Sequence, residues 1–153
     1  MNDVAKTYLR FAAMIATSTA VMYGLTYLNS YAFDHVYFSE TRLYMALVMG
    51  ASMAVIMLTY MLHMHTSRRA NLTIYLVSAV VFVGSLWLVR SQATVGQVAY
   101  MKAMIPHHSI AILTSERAQI TDPRVRDLAD RIIEAQVAEI AEMRAYIAEL
   151  EGE

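Results

Sequence analysis

The chain has 153 residues and a formal net charge of −1, with 58% hydrophobic and 16% charged residues. It contains no cysteine, which excludes disulfides, Cys-x-x-Cys copper chaperone motifs and thiolate zinc sites. Such a composition indicates an all-α membrane protein, in which any metal site must use Met, His and carboxylate side chains.

Three stretches without a charged residue predict three transmembrane helices, because each could cross a hydrocarbon layer of about 30 Å as a helix. The uncharged stretches are residues 11–28, 43–62 and 72–89. With their flanks, the predicted helices cover about 9–29, 43–65 and 72–90. They form a predicted membrane domain of residues 1–90. We interpret the first as a retained signal anchor rather than a cleaved signal peptide.

Basic residues near the span ends predict the orientation in a bacterial inner membrane. They are Lys6, Arg10, Arg68 and Arg69. These four should be cytoplasmic, and with them the N-terminus. The loop of residues 29–42 and the domain of residues 91–153 should then be periplasmic. Asp34, His35 and Glu40 in that loop form a weakly specific candidate cation cluster.

The second span carries a methionine stripe, with one Met every four residues. Its members are Met45, Met49, Met53, Met57 and Met61, followed by His63, Met64 and His65. Such a stripe is most often flexible apolar filling, and the alternative is a path for a soft metal ion. Met-x-x-x-Met on the second of three spans is similar to eukaryotic copper uptake channels, which have the reverse orientation and a glycine pair where this chain has Gly84 alone.

Small residues on the first two spans predict that these helices pack together, since small side chains let helix backbones approach closely. The two ridges are Ala12, Ala16, Ala20 and Gly24 on the first span, and Ala46, Gly50 and Ala54 on the second.

The remainder, residues 91–153, holds 6 of the 12 basic and 10 of the 13 acidic residues and is therefore a predicted water-exposed domain. Apolar residues at spacings of three and four predict two amphipathic helices. Asp122 is a suitable N-cap and Pro123 a suitable first helical residue, so the chain should turn there into an antiparallel helical hairpin.

Soft and borderline metal ligands crowd the first predicted helix of this hairpin. They are Met101, Met104, His107 and His108. Antiparallel pairing about residues 121 and 122 places Gln136, Glu139 and Met143 opposite them. Thioether and imidazole ligands suit copper, and Cu(I) in particular, better than magnesium or calcium. The alternative is a packed bundle core that contains a hydrogen-bonded histidine pair.

Pro106 lies directly before the two histidines and removes a backbone donor. Inside a helix it would leave the carbonyl of Lys102 without its partner and kink the helix. Alternatively, Pro106 marks the start of a separate helix.

Several separated elements in this region resemble a bacterial family called domain of unknown function 305. They are Met-Ile-Pro-His-His with Ala111, Asp-Pro at 122 and 123, and Ile-x-x-x-Gln-x-x-Glu-Ile-x-x-Met ending at Met143. The resemblance covers about residues 97–150 and implies paired ferritin-like helices, here half of a four-helix bundle, with a role in periplasmic copper handling and metal binding by Met and His. The matching residues are Met101, Met104, His107, His108, Gln136, Glu139 and Met143. Gln97 stands where the family often has Asp, and Thr114 where a Met commonly follows.

We expect a membrane-anchored periplasmic copper-binding protein that buffers or delivers Cu(I). Its expected ligands are His107, His108, Met104, Met101, Met143 and Glu139. Two other functions stay open, a copper transporter or channel that uses the methionine stripe, and a structural accessory subunit of a larger membrane complex. No Glu-x-x-His motif for a di-iron site occurs. The expected partners are membrane lipid and further copies of the chain, with no nucleic acid and no enzymatic activity.

Overall fold

A computed structural model of the protein describes residues 3–152, which form an all-α structure. The helices are α1 Asp3–Leu25, α2 Glu40–Tyr60, α3 Arg68–Ser91, α4 Gln97–Arg117 and α5 Pro123–Glu151. One 3₁₀ turn, Phe33–His35, lies between α1 and α2. The predicted all-α class is confirmed.

Two of the described helices, α2 and α3, are long and apolar enough to cross a membrane, judged by length and composition alone. α1 is not apolar enough to meet this criterion, although apolar residues occur over most of its length. Arg10 and the polar run Thr17, Ser18 and Thr19 lower its mean hydropathy. The first predicted span therefore stays a prediction.

The described residues divide into two compact units. The first lies within Met1–Leu25 and Thr41–Thr94, and the second within Thr26–Glu40 and Val95–Glu153. The segment between α1 and α2 thus belongs to the same unit as the α4–α5 hairpin. Sequence periodicity could not have assigned it there, because the segment is short and irregular.

The core of the first unit contains Phe11 of α1 with Ala54 and Leu58 of α2. The small ridge of α2 is buried at Ala46 and Gly50, and a Cβ atom added at Gly50 would collide with the Thr19 side chain. The predicted packing of the first two helices is confirmed there.

The small residues of α1 do not make this contact, contrary to their predicted role. Ala12, Ala16 and Ala20 are exposed and line an open apolar groove of about 890 Å³. α1 approaches α2 through larger side chains at a spacing of four residues, Phe11, Ile15 and Thr19. A larger side chain on one helix fits against a small residue on the other, so one small ridge is sufficient for close approach.

The second unit is built on the α4–α5 hairpin, whose core contains Ile105 and Ile112 from α4 and Ile140 and Ile147 from α5. At the turn, the Asp122 side chain accepts a hydrogen bond of 2.8 Å from the Arg124 backbone N–H, and Pro123 is the first helical residue. The predicted N-cap and the predicted hairpin are both confirmed.

Pro106 lies in the interior of α4, at a buried position, and the helix continues through it. The interpretation in which Pro106 begins a new helix is therefore wrong. The residues before it, from Gln97 onward, belong to the same helix as the histidines after it. Apolar packing of α4 against α5 compensates for the lost backbone hydrogen bond.

Candidate metal centre

His108 connects the two helices of the hairpin. Its Nδ1 donates a hydrogen bond of 2.9 Å to the Met104 carbonyl oxygen, and its Nε2 lies 2.6 Å from Glu139 Oε2 on α5. Because a carbonyl can only accept, the Nδ1 atom carries a proton, and the short Nε2 contact needs a second proton between nitrogen and carboxylate. Nε2 is thus the ring atom at which a metal ion could replace a proton.

His107 and Met104 lie next to this pair. His107 is exposed, with its ring centroid 6.0 Å from that of His108, and Met104 is half-buried. Met104 and His108 are four residues apart and therefore share a face of α4. The predicted antiparallel register placed Met104 opposite Glu139. In the structure Glu139 instead contacts His108, which lies one helical turn further along α4.

Met101 and Met143 belong to the apolar core rather than to the surface near the histidines. Met101 is 8% exposed within the core of the hairpin, and Met143 packs against the same core together with Tyr37. Seven residues of helix separate Met101 from His108, a rise of about 10 Å. The structure therefore divides the predicted ligands into an outer group, His107, His108, Met104 and Glu139, and an inner pair of thioethers, Met101 and Met143.

Within residues 3–152, no three His, Asp or Glu side chains are grouped closely enough to hold a metal ion. The outer group offers nitrogen, carboxylate oxygen and one thioether, a donor set that suits copper. Two ligands on one tetrahedral ion, with bonds of about 2.0 Å, lie roughly 3.3 Å apart, so Nε2 and Oε2 need to separate by less than about 1 Å to share an ion.

A buried serine on α4 attaches the 26–40 segment to the hairpin next to this group. Ser109, fully buried at 0% exposure, accepts a hydrogen bond of 2.7 Å from the Tyr31 backbone N–H. Its Oγ also lies 2.9 Å from His35 Nδ1. Burial lowers the pKa of His35, which favours the neutral ring.

A salt bridge attaches the same segment to α5. Arg144 donates hydrogen bonds to the carbonyl oxygen of Asp34 at 2.8 Å and to its carboxylate Oδ2 at 2.6 Å. The hydrogen bond from Arg144 lowers the pKa of the Asp34 carboxyl, so this pair is charged at neutral pH. Asp34 thus pairs with Arg144, and His35 contacts Ser109. Two of the three residues in the predicted cation cluster of the loop therefore make other contacts in this structure.

Comparisons with known proteins relate the chain to one family model and to one viral protein. A family model described as domain of unknown function 305 (DUF305) matches residues 90–153. An uncharacterized protein of Acanthamoeba polyphaga mimivirus is 32% identical over 108 residues, which cover 69% of each chain. The chain belongs to the DUF305 family. The mimivirus match is longer than the family segment, so the similarity extends into the residues before it. No solved structure matches the chain.

The DUF305 segment contains all the predicted ligands of the hairpin and also Ser109 and Arg144, whose contacts were not among the predictions from the sequence. Ser109 directly follows the two histidines and lies on the buried side of α4. A polar residue at such a position needs a hydrogen-bond partner, which could have indicated a contact with another segment. For Arg144 no comparable signal existed, because an arginine on an acidic helix usually makes pairs within that helix. Its partner, Asp34, is 110 residues earlier in the chain.

Proposed function

We propose that this DUF305 protein is a membrane-anchored copper-binding protein whose hairpin buffers or delivers Cu(I) at the extracytoplasmic surface. The cargo ion would be held by the outer group, with Nε2 of His108 as the central ligand. The family resemblance to copper-handling proteins supports the same proposal.

The observation that carries the proposal is the contact between His108 and Glu139. The Nδ1 hydrogen bond to Met104 orients the ring, so that Nε2 faces the carboxylate. A hydrogen bond from the other ring nitrogen to a carbonyl oxygen is usual for histidines that ligate metal ions, because it fixes the tautomer and the ring plane. Glu139 would supply a negative charge beside a bound cation.

The proposed location is a bacterial inner membrane, with the N-terminus cytoplasmic and residues 91–153 periplasmic. Arg68 and Arg69 at the start of α3 support this orientation by the positive-inside rule. A reporter that is active only in the periplasm, fused after Glu153, should be active, and activity of a cytoplasmic reporter at the same position would reverse the orientation.

The test is an anaerobic Cu(I) titration of the purified full chain against a chromophoric chelator. Replacing both histidines, His107→Ala with His108→Ala, should abolish copper binding at the hairpin. The loss in affinity should be at least about a hundredfold, because mutation of residues that only hydrogen-bond to metal ligands already lowers metal affinity about 10- to 100-fold. The hairpin should remain helical, because its apolar core does not involve either ring. His63→Ala is the matched control, since His63 is exposed and lies on the other unit.

Unchanged copper affinity of the hairpin in the double variant would refute the ligand assignment. Copper transport by the chain in proteoliposomes would favour the channel function instead. No copper bound to the wild-type chain would favour a structural accessory subunit.

A further inference from the structure

His65, in the loop between α2 and α3, is a buried histidine with an unpartnered ring nitrogen. It is 2% exposed, and its Nδ1 donates a hydrogen bond of 3.0 Å to the Met61 carbonyl oxygen. Its Nε2 is buried and has no hydrogen-bond partner. Since the carbonyl can only accept, Nδ1 carries a proton, and in a ring that has this proton alone Nε2 presents a lone pair. A buried acceptor without a partner costs free energy unless a ligand satisfies it.

The surrounding residues hold this ring in one orientation. Tyr8 and Phe11 of α1 contact it edge to face, with centroid distances of 5.0 and 5.2 Å. The His65 carbonyl oxygen accepts a hydrogen bond of 2.8 Å from the Asn71 side chain, and Asn71 in turn accepts one of 2.6 Å from the Tyr8 hydroxyl. Ring and backbone are therefore both fixed, as they are in preorganised ligand sites.

Three methionines are among the residues that line a small cavity beside this ring. The cavity has a volume of about 230 Å³ and is lined by Thr7, Arg10, Phe11, Met14, Met61, Met64 and His65. Met14 and Met64 are exposed, so the cavity has an approach from outside. Methionine side chains are flexible enough to close around an ion.

We propose that His65 Nε2 and the sulfur atoms of Met14, Met61 and Met64 form a second binding site for a soft monovalent cation, Cu(I) or Ag(I). No carboxylate lines the cavity, and hard cations prefer oxygen ligands. Arg10 on the cavity wall repels a divalent ion more strongly than a monovalent one. This site lies in the first unit and does not depend on the function proposed for the hairpin.

The experiment titrates anaerobic Cu(I) into the full chain in which His107→Ala and His108→Ala have removed the hairpin ligands. This variant should retain one equivalent of Cu(I), and X-ray absorption should show both sulfur and nitrogen ligands. Adding His65→Phe should remove that equivalent. Adding Met14→Leu or Met64→Leu should weaken it about tenfold or more, since these substitutions delete sulfur and conserve volume.

Matched controls are His63→Phe, two residues away and exposed, and Met53→Leu, on α2 outside the cavity. Both should leave the retained equivalent unchanged, and helicity and thermal unfolding should show that every variant is folded. Loss of all copper from the His107→Ala and His108→Ala variant would overturn this inference while supporting the function proposed for the hairpin. An equivalent that survives His65→Phe in a folded chain would also overturn it. Binding removed by His65→Phe alone, with no effect of the hairpin substitutions, would support this site and refute the hairpin assignment.

Discussion

Ser109 and His35 show how two residues on different segments attach the 26–40 segment to the hairpin. Ser109 Oγ accepts from the Tyr31 N–H, so its own hydroxyl proton is free to be donated to His35 Nδ1. This pattern requires His35 to be neutral. Burial lowers its pKa, the adjacent Asp34 carboxylate acts in the opposite direction, and the charge of Arg144 adds to the lowering.

Acidification should therefore weaken the contact of this segment with Ser109. Because the folded pKa of His35 is depressed, the unfolded segment binds a proton at higher pH than the docked one. The contribution of His35 to the stability of the docked segment is complete above about pH 6.5, the usual pKa of histidine. It is lost as the pH falls from there through the lowered pKa that His35 has in the docked state. The protection factor of the Tyr31 amide against hydrogen exchange should fall in this range.

His35→Gln is the control for this prediction, because its amide does not titrate there. The variant should lose the pH step at Tyr31 while the Arg144 salt bridge persists, since the pKa of Asp34 is lowered and its carboxylate stays charged to still lower pH. An equal step in wild type and variant would show that His35 is not the group whose titration releases this contact.

Among the elements, α1 and α2 make their closest approach at Gly50. Gly50→Ala should lower the free energy of unfolding by about 1–3 kcal/mol, the usual cost of overpacking, because its Cβ atom would meet the Thr19 side chain. Thermal unfolding in mild detergent would measure the loss. Thr19→Ala in the same chain should restore most of it.

Gly84→Ala on α3 is the matched control, because nothing lies within 4 Å of an added Cβ atom there. It should be neutral or stabilising by up to about 1 kcal/mol, the difference in helix propensity between Gly and Ala. Equal effects of the two substitutions would mean that α1 does not pack closely on α2 at this position.

For the whole molecule, we expect self-association through α5. The hairpin supplies two helices, whereas a bundle that encloses a core needs about four. α5 exposes an apolar stripe with helical spacing, made of Val125, Leu128, Ile132, Tyr146 and Leu150. A second copy could cover this stripe, and the exposed Glu139 lies on the same side of the helix.

Leu128→Glu with Ile132→Glu should convert the oligomer into monomers, measured by light scattering in mild detergent. The charged residues replace exposed side chains, so each hairpin should stay folded. Val137→Glu is the control, because Val137 is exposed but lies off the stripe. A wild-type chain that is already monomeric, with a helical hairpin, would contradict this expectation.

The sequence by itself determined the elements of this protein. Apolar stretches, helical periodicity and the Asp122-Pro123 cap depend on neighbours within a few turns, and they predicted the helices, the hairpin and the residues of the outer group. Only the tertiary structure decided which of these residues meet. It separated Met101 and Met143 from the histidines, paired His108 with Glu139, brought residues 26–40 to Ser109 and Arg144, and left His65 Nε2 without a partner. Such contacts join residues up to 110 positions apart. They depend on how helices pack in space, which local sequence patterns do not encode.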